Sequence, residues 1–132
     1  MVIFGRKTSV KNKKILLVED DALLAKALMD LLIREDFDVA NANNGLQVYD
    51  LASKFQPHLI LLDLILPGLD GFEVLRQLKD DDKLKTVPVF IISNLDSISE
   101  VKSAKALGAE DYFIKANTDM FKIIKAVKAR VK

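Results

Sequence analysis

The sequence contains no cysteine, which excludes a disulfide framework and any thiolate metal centre. It also lacks an apolar run long enough to span a bilayer, because the longest are only the size of a β-strand. The opening Met1-Val2-Ile3-Phe4 is too short for the apolar core of a signal peptide. These absences lead to the expectation of a soluble, cytoplasmic protein with no membrane contact. Strong net charge is missing too. The formal value is +1, but residues 1–14 hold Arg6, Lys7, Lys11, Lys13 and Lys14 with no acid, which leaves the remainder at about −4. A body of that sign gives no reason to expect direct nucleic-acid binding. Residues 1–12 read as a basic, solvated N-terminal tail, and residues 13–132 as one domain.

What is present is a chain of 132 residues, half hydrophobic and 30% charged. That length buries roughly two-thirds of the unfolded surface, enough for a self-supporting core. Short apolar runs alternate with longer amphipathic segments. Ile15-Leu16-Leu17-Val18 is followed by Leu23, Leu24, Ala27, Leu28, Leu31 and Leu32 at helical spacing. A weaker strand at about 37–41 precedes a helix near 44–54. His58-Leu59-Ile60-Leu61-Leu62 leads through Pro67-Gly68 and Asp70-Gly71 into a helix that ends at Asp80-Asp81-Asp82. Val87 to Ile92 precedes a helix face of Ile98, Val101, Ala104 and Leu107 that stops at Gly108. Tyr112-Phe113-Ile114 precedes a helix over 117–131, with Asn117, Thr118 and Asp119 available at its start and a basic end. Five strand–helix repeats with strands apolar on both faces predict an α/β fold, a doubly wound parallel sheet with helices on both sides. No internal repeat and no second domain are expected.

In such a sheet, sites form outside the carboxyl ends of the strands. Those ends here carry Glu19-Asp20-Asp21, Asp63, Ser93-Asn94 and Lys115. Singly, each has an ordinary explanation: a helix cap, a turn, a surface lysine. Jointly they bring carboxylates, a hydroxyl and an ammonium to one rim. Clustered carboxylates repel, and a hard divalent cation such as magnesium relieves the conflict. Lys115 and Ser93 are then placed to contact a phosphoryl group, as aspartyl-phosphate chemistry requires.

At these motifs the chain resembles the receiver domains of two-component response regulators. The likeness covers about residues 13–131 and rests on Ile15 to Asp21, Leu61-Leu62-Asp63-Leu64, Leu66-Pro67-Gly68-Leu69-Asp70-Gly71, Ile91-Ile92-Ser93-Asn94 and Gly108-Ala109 with Tyr112 and Lys115. The resemblance implies a flavodoxin-like sheet of five strands in the order 2-1-3-4-5 with five helices. It implies that Asp63 accepts a phosphoryl group from a histidine kinase or histidine phosphotransfer protein. Asp20 would ligate Mg2+ directly, Glu19 through water, and Asp63 and the Ile65 backbone carbonyl would complete the protein ligands. Ser93, Lys115 and the Asn94 backbone N–H would contact the phosphoryl oxygens. Ser93 and Tyr112 would form the switch, and the last two helices with the fifth strand would signal to a downstream protein partner, with a phosphorylation-dependent dimer as one form of output. Such a domain is a signalling switch that catalyses only its own phosphorylation and dephosphorylation.

Three positions depart from the family pattern. Ala116 stands where proline joined by a cis bond is usual, so either a costly cis bond is kept or the 115–119 loop takes another path. Ile65 and Leu95, two residues beyond Asp63 and Ser93, cannot orient a hydrolytic water, which predicts slow loss of the phosphoryl group. Ser93 replaces the commoner threonine and keeps the hydroxyl. Two rival readings are a magnesium-dependent hydrolase with an aspartyl nucleophile and a receiver-like domain that is never phosphorylated. The first wants a second Asp where Ile65 stands, and the complete set Glu19, Asp20, Asp63, Ser93 and Lys115 argues against the second. His58, the only histidine, reads as a packing or edge residue, and Asp80-Asp81-Asp82 as a solvated loop.

Overall fold

The computed structural model describes residues 2–4 and 12–131. In chain order the elements are β1 (Val2–Phe4), β2 (Lys14–Val18), α1 (Ala22–Arg34), β3 (Asp38–Ala42), α2 (Gly45–Phe55), β4 (Leu59–Leu62), α3 (Gly71–Asp80), β5 (Val89–Ser93), α4 (Ile98–Ala106), β6 (Asp111–Ile114) and α5 (Met120–Val131). The strands form one sheet in the order β1-β3-β2-β4-β5-β6. The five strands from β2 onward are parallel and, counted from β2, stand in the expected order 2-1-3-4-5.

One strand is added to the expected five. Val2–Phe4 pairs antiparallel with β3, Val2 opposite Ala42 and Phe4 opposite Ala40. The stretch read from sequence as the start of a solvated tail therefore contains a sheet edge. Arg6, Lys7 and Lys11 of that tail lie outside the described residues.

Successive strand residues point to opposite faces, and both faces are apolar. Leu16, Val18, Ile60, Leu62, Val89 and Ile91 pack under Val48 and Leu51 of α2, Val74 and Leu78 of α3 and Ala104 of α4. Ile15, Leu17, Leu59, Leu61, Phe90 and Ile92 pack under Leu28 and Leu32 of α1 and Ile124 and Val127 of α5. Each fully buried aliphatic side chain contributes roughly 1.5–3 kcal/mol, so the sheet is held from both sides.

Every helix starts on the rim where the strands end, and short polar residues begin them. Asp21 accepts from the Leu23 and Leu24 amides, Asn44 from Leu46, Asp70 from Phe72, and Asp119 from Phe121. Ser97 and Glu100 cap α4 reciprocally. The last helix begins at Met120 rather than 117, because Lys115–Asn117 form a separate 3-10 turn.

Candidate functional site

The carboxyl ends of β2, β4, β5 and β6 bring the nominated residues together. Glu19, Asp20 and Asp63 offer carboxylate oxygens within 4.8 Å of one another. Glu19 and Asp63 are buried, whereas Asp20 is exposed. Asp21, the third acid of its run, is spent on capping α1 and lies outside this cluster.

Lys115 closes the group. Its Nζ lies 2.7 Å from Asp63 Oδ2 and 2.6 Å from Glu19 Oε1. Burial pushes the Glu19 carboxyl up from its usual range against the pull of that ammonium, and the charge of Asp63 adds to the rise. Burial works to lower the Lys115 pKa, but its two carboxylate partners outweigh it and raise the value. The other oxygens meet backbone: Asp21 N donates to Glu19 Oε2 at 3.1 Å, and Ile65 N to Asp63 Oδ1 at 3.1 Å.

Ser93 is fully buried, and its Oγ accepts from the Leu95 amide at 3.3 Å. Tyr112 is half-buried and donates its hydroxyl to the Leu95 carbonyl at 2.5 Å. Burial first, and then the charge of Glu100, raise the phenol's pKa. Asn94 is exposed and uses its side chain: Oδ1 accepts from the Ala116 amide at 3.0 Å. No described peptide bond is cis, so the Lys115–Ala116 bond is trans and the loop takes the other path, the 3-10 turn.

The loop after β4, which carries Ile65, is seated on the start of α2. Gly45 N donates to the Pro67 carbonyl at 3.0 Å, and a Cβ at Gly45 would lie 2.0 Å from the Leu69 carbonyl oxygen. Gly68 adopts φ +83°, a conformation glycine reaches without strain. The Asn94 side-chain bond and the Glu19 share of Lys115 were not read from sequence; both depend on strand register.

The donor set suits a hard divalent cation. It is all oxygen, it clusters three carboxylates, and Glu19 Oε1 is buried with an ion-pair contact but no well-formed hydrogen bond. One acidic cluster and the histidine, both outside the rim, have other duties. Asp81 accepts from the Lys83 and Leu84 amides and from the Tyr49 hydroxyl, and Asp82 pairs with Lys85. His58 Nδ1 accepts from Lys14 N at 2.9 Å, tying the start of β2 to the approach to β4.

A doubly wound sheet with a buried acid–lysine cluster at its carboxyl rim defines a class, and comparison with known proteins narrows it. Residues 15–128 match the family described as the response regulator receiver domain. The chain is 35% identical over 103 residues to the polar-differentiation response regulator DivK of Brucella anthropi, covering 78% of this chain and 84% of that one. It is 35% identical over 117 residues to sporulation initiation phosphotransferase F of Bacillus subtilis, covering 89% and 92%. Among solved structures, the BeF3-activated N-terminal receiver domain of Klebsiella pneumoniae RstA superposes with a TM-score of 0.83 at 28% identity, covering 91% and 99%. The chain belongs to the response regulator receiver domain family, whose members are signalling switches of two-component systems.

Proposed function

We propose that Asp63 accepts a phosphoryl group from the phosphohistidine of a histidine kinase or histidine phosphotransfer protein in the cytoplasm. The observation that carries this reading is the Lys115 ammonium held between the buried carboxylates of Glu19 and Asp63. A carboxylate nucleophile needs a cation to steady the charge that arrives with phosphate, and Lys115 is already in reach.

In the transfer, an Asp63 oxygen forms the bond to phosphorus as the donor's P–N bond breaks, and the electron pair of that bond leaves on the imidazole nitrogen. Lys115 then directs its donors at the phosphoryl oxygens. Ser93 turns its hydroxyl from Leu95 toward the new group, and the Asn94 backbone N–H donates to it. Asp20, Asp63 and the Ile65 carbonyl, with Glu19 through water, would hold Mg2+, which would neutralise phosphoryl charge. The phosphorylated site carries about two negative charges where Asp63 carried one. Because Tyr112 is tied to Leu95, movement of Ser93 is passed to Tyr112 and to the α4, β6 and α5 surface, where a downstream protein or a second phosphorylated copy docks.

A protein donor fits the rim. Leu23, Leu46, Ile65, Ile98 and Phe121 are large, apolar and exposed, and all lie at helix starts or in the loop beside Asp63. A hydrolase acting on outside substrates fits less well, since Ile65 is 55% exposed and offers no acid or base where that chemistry needs one. The test is incubation with Mg2+ and acetyl phosphate followed by intact mass. One phosphoryl group per chain, lost in Asp63→Asn, is expected; no modification or sustained phosphate release overturns the reading.

A further inference from the structure

We infer that the Asn94 side chain is a positioning residue for Lys115, acting through the Ala116 amide, and this inference rests on the phosphoacceptor reading of Asp63. Lys115 reaches its two carboxylates from a 3-10 turn of three residues, Lys115–Asn117. A turn that short is weak by itself. Ile114, which precedes it, supplies no side-chain cap, so the first N–H groups of the turn have no local acceptor.

The missing acceptor comes from the neighbouring strand. β5 and β6 are parallel with Ser93 opposite Ile114, which places Asn94 beside Lys115 and within one residue of Ala116. Asn94 Oδ1 takes the Ala116 amide at 3.0 Å. Proline at position 116 would have no N–H to give, so alanine there and a carboxamide at 94 form a matched pair. The pair fixes the turn without a cis peptide bond.

The anchor sits in a segment with other duties. Ser93 Oγ holds the Leu95 amide, Asn94 Oδ1 holds the Ala116 amide, and the Leu95 carbonyl holds the Tyr112 hydroxyl. Three consecutive residues thus join the switch hydroxyl, the lysine turn and the switch aromatic. A displacement of Ser93 on phosphorylation reaches the Lys115 backbone through one residue. Asn94 and Ala116 are both exposed, so substitutions there leave the core untouched.

The test uses the full chain as wild type, Asn94→Ala, Ala116→Pro and the double variant. On unphosphorylated protein, Asn94→Ala is expected to speed hydrogen exchange of the Ala116 amide on the order of tenfold and to shift the 15N resonance of the Lys115 ammonium. With Mg2+ and acetyl phosphate, each single variant is expected to be modified on the order of tenfold more slowly, as for a misplaced catalytic group. The double variant should be no slower than the slower single. An unaltered Ala116 exchange rate, an unaltered Lys115 resonance, or single effects that multiply in the double variant would overturn the inference. If the wild type takes no phosphoryl group, the Asp63 reading fails, and the anchor is then decided by the exchange and ammonium signals alone.

Discussion

Two acidic clusters in this molecule have three aspartate or glutamate residues each and opposite fates. At the carboxyl rim, Glu19 and Asp63 are buried around a lysine, and a Glu19 oxygen is left without a well-formed hydrogen bond. At the opposite rim, Asp81 is fully engaged by two amides and a phenol, while Asp80 and Asp82 are exposed to water. The residue types are alike. What separates a site from a loop is burial combined with valence that the fold leaves over.

The comparison can be broken most directly by exchanging the outcomes. Asp63→Asn should abolish phosphoryl uptake in the presence of Mg2+, while Asp81→Asn should leave its rate within about twofold of wild type; intact mass against time reads both, and loss of uptake in Asp81→Asn would erase the distinction. A smaller effect is expected in the lifetime of the phosphorylated state. Ile65→Asn and Leu95→Glu put polar groups two residues beyond Asp63 and Ser93 and should each shorten the half-life several-fold. Equal lifetimes would show that these apolar neighbours do not protect the phosphoryl group.

The opposite rim should answer in stability instead. Asp81→Ala removes the acceptor for the Lys83 and Leu84 amides and should lower the urea unfolding midpoint at unchanged phosphorylation rate. The smallest effect concerns His58, whose pKa is lowered first by burial and then by Lys13 and Lys14. A base with a lowered folded pKa stabilises the fold above its unfolded value, near 6.5, and that stability is lost as pH falls through the folded value. Wild type should therefore lose slightly more stability than His58→Gln between pH 7 and pH 5, because protonation deprives Lys14 N of its acceptor.

Most of the parallel sheet was legible because its signals are local. Leu59 to Leu62 is apolar on both faces, and Asn44, Asp70 and Ser97 stand where helix caps are needed. The gathering of Glu19, Asp20, Asp63, Ser93 and Lys115 followed from topology, since parallel strands deliver their ends to one rim. Three features were not legible. Val2–Phe4 is too short to announce a strand, and only the edge of β3 makes it one. The path of the 115–117 turn depends on a carboxamide 22 positions earlier. The division of Lys115 between Glu19 and Asp63 is a matter of distances, which spacing along a chain does not encode.

The added strand has a consequence for how the molecule meets its neighbours. A sheet edge exposes a row of free amides and carbonyls, a template on which another chain can add a strand. β1 occupies that template on β3 and becomes the boundary of the sheet on that side, with β6 as the other boundary. A second molecule that pairs through its main chain therefore meets two short margins, three residues at β1 and four at β6, the flank that carries Tyr112.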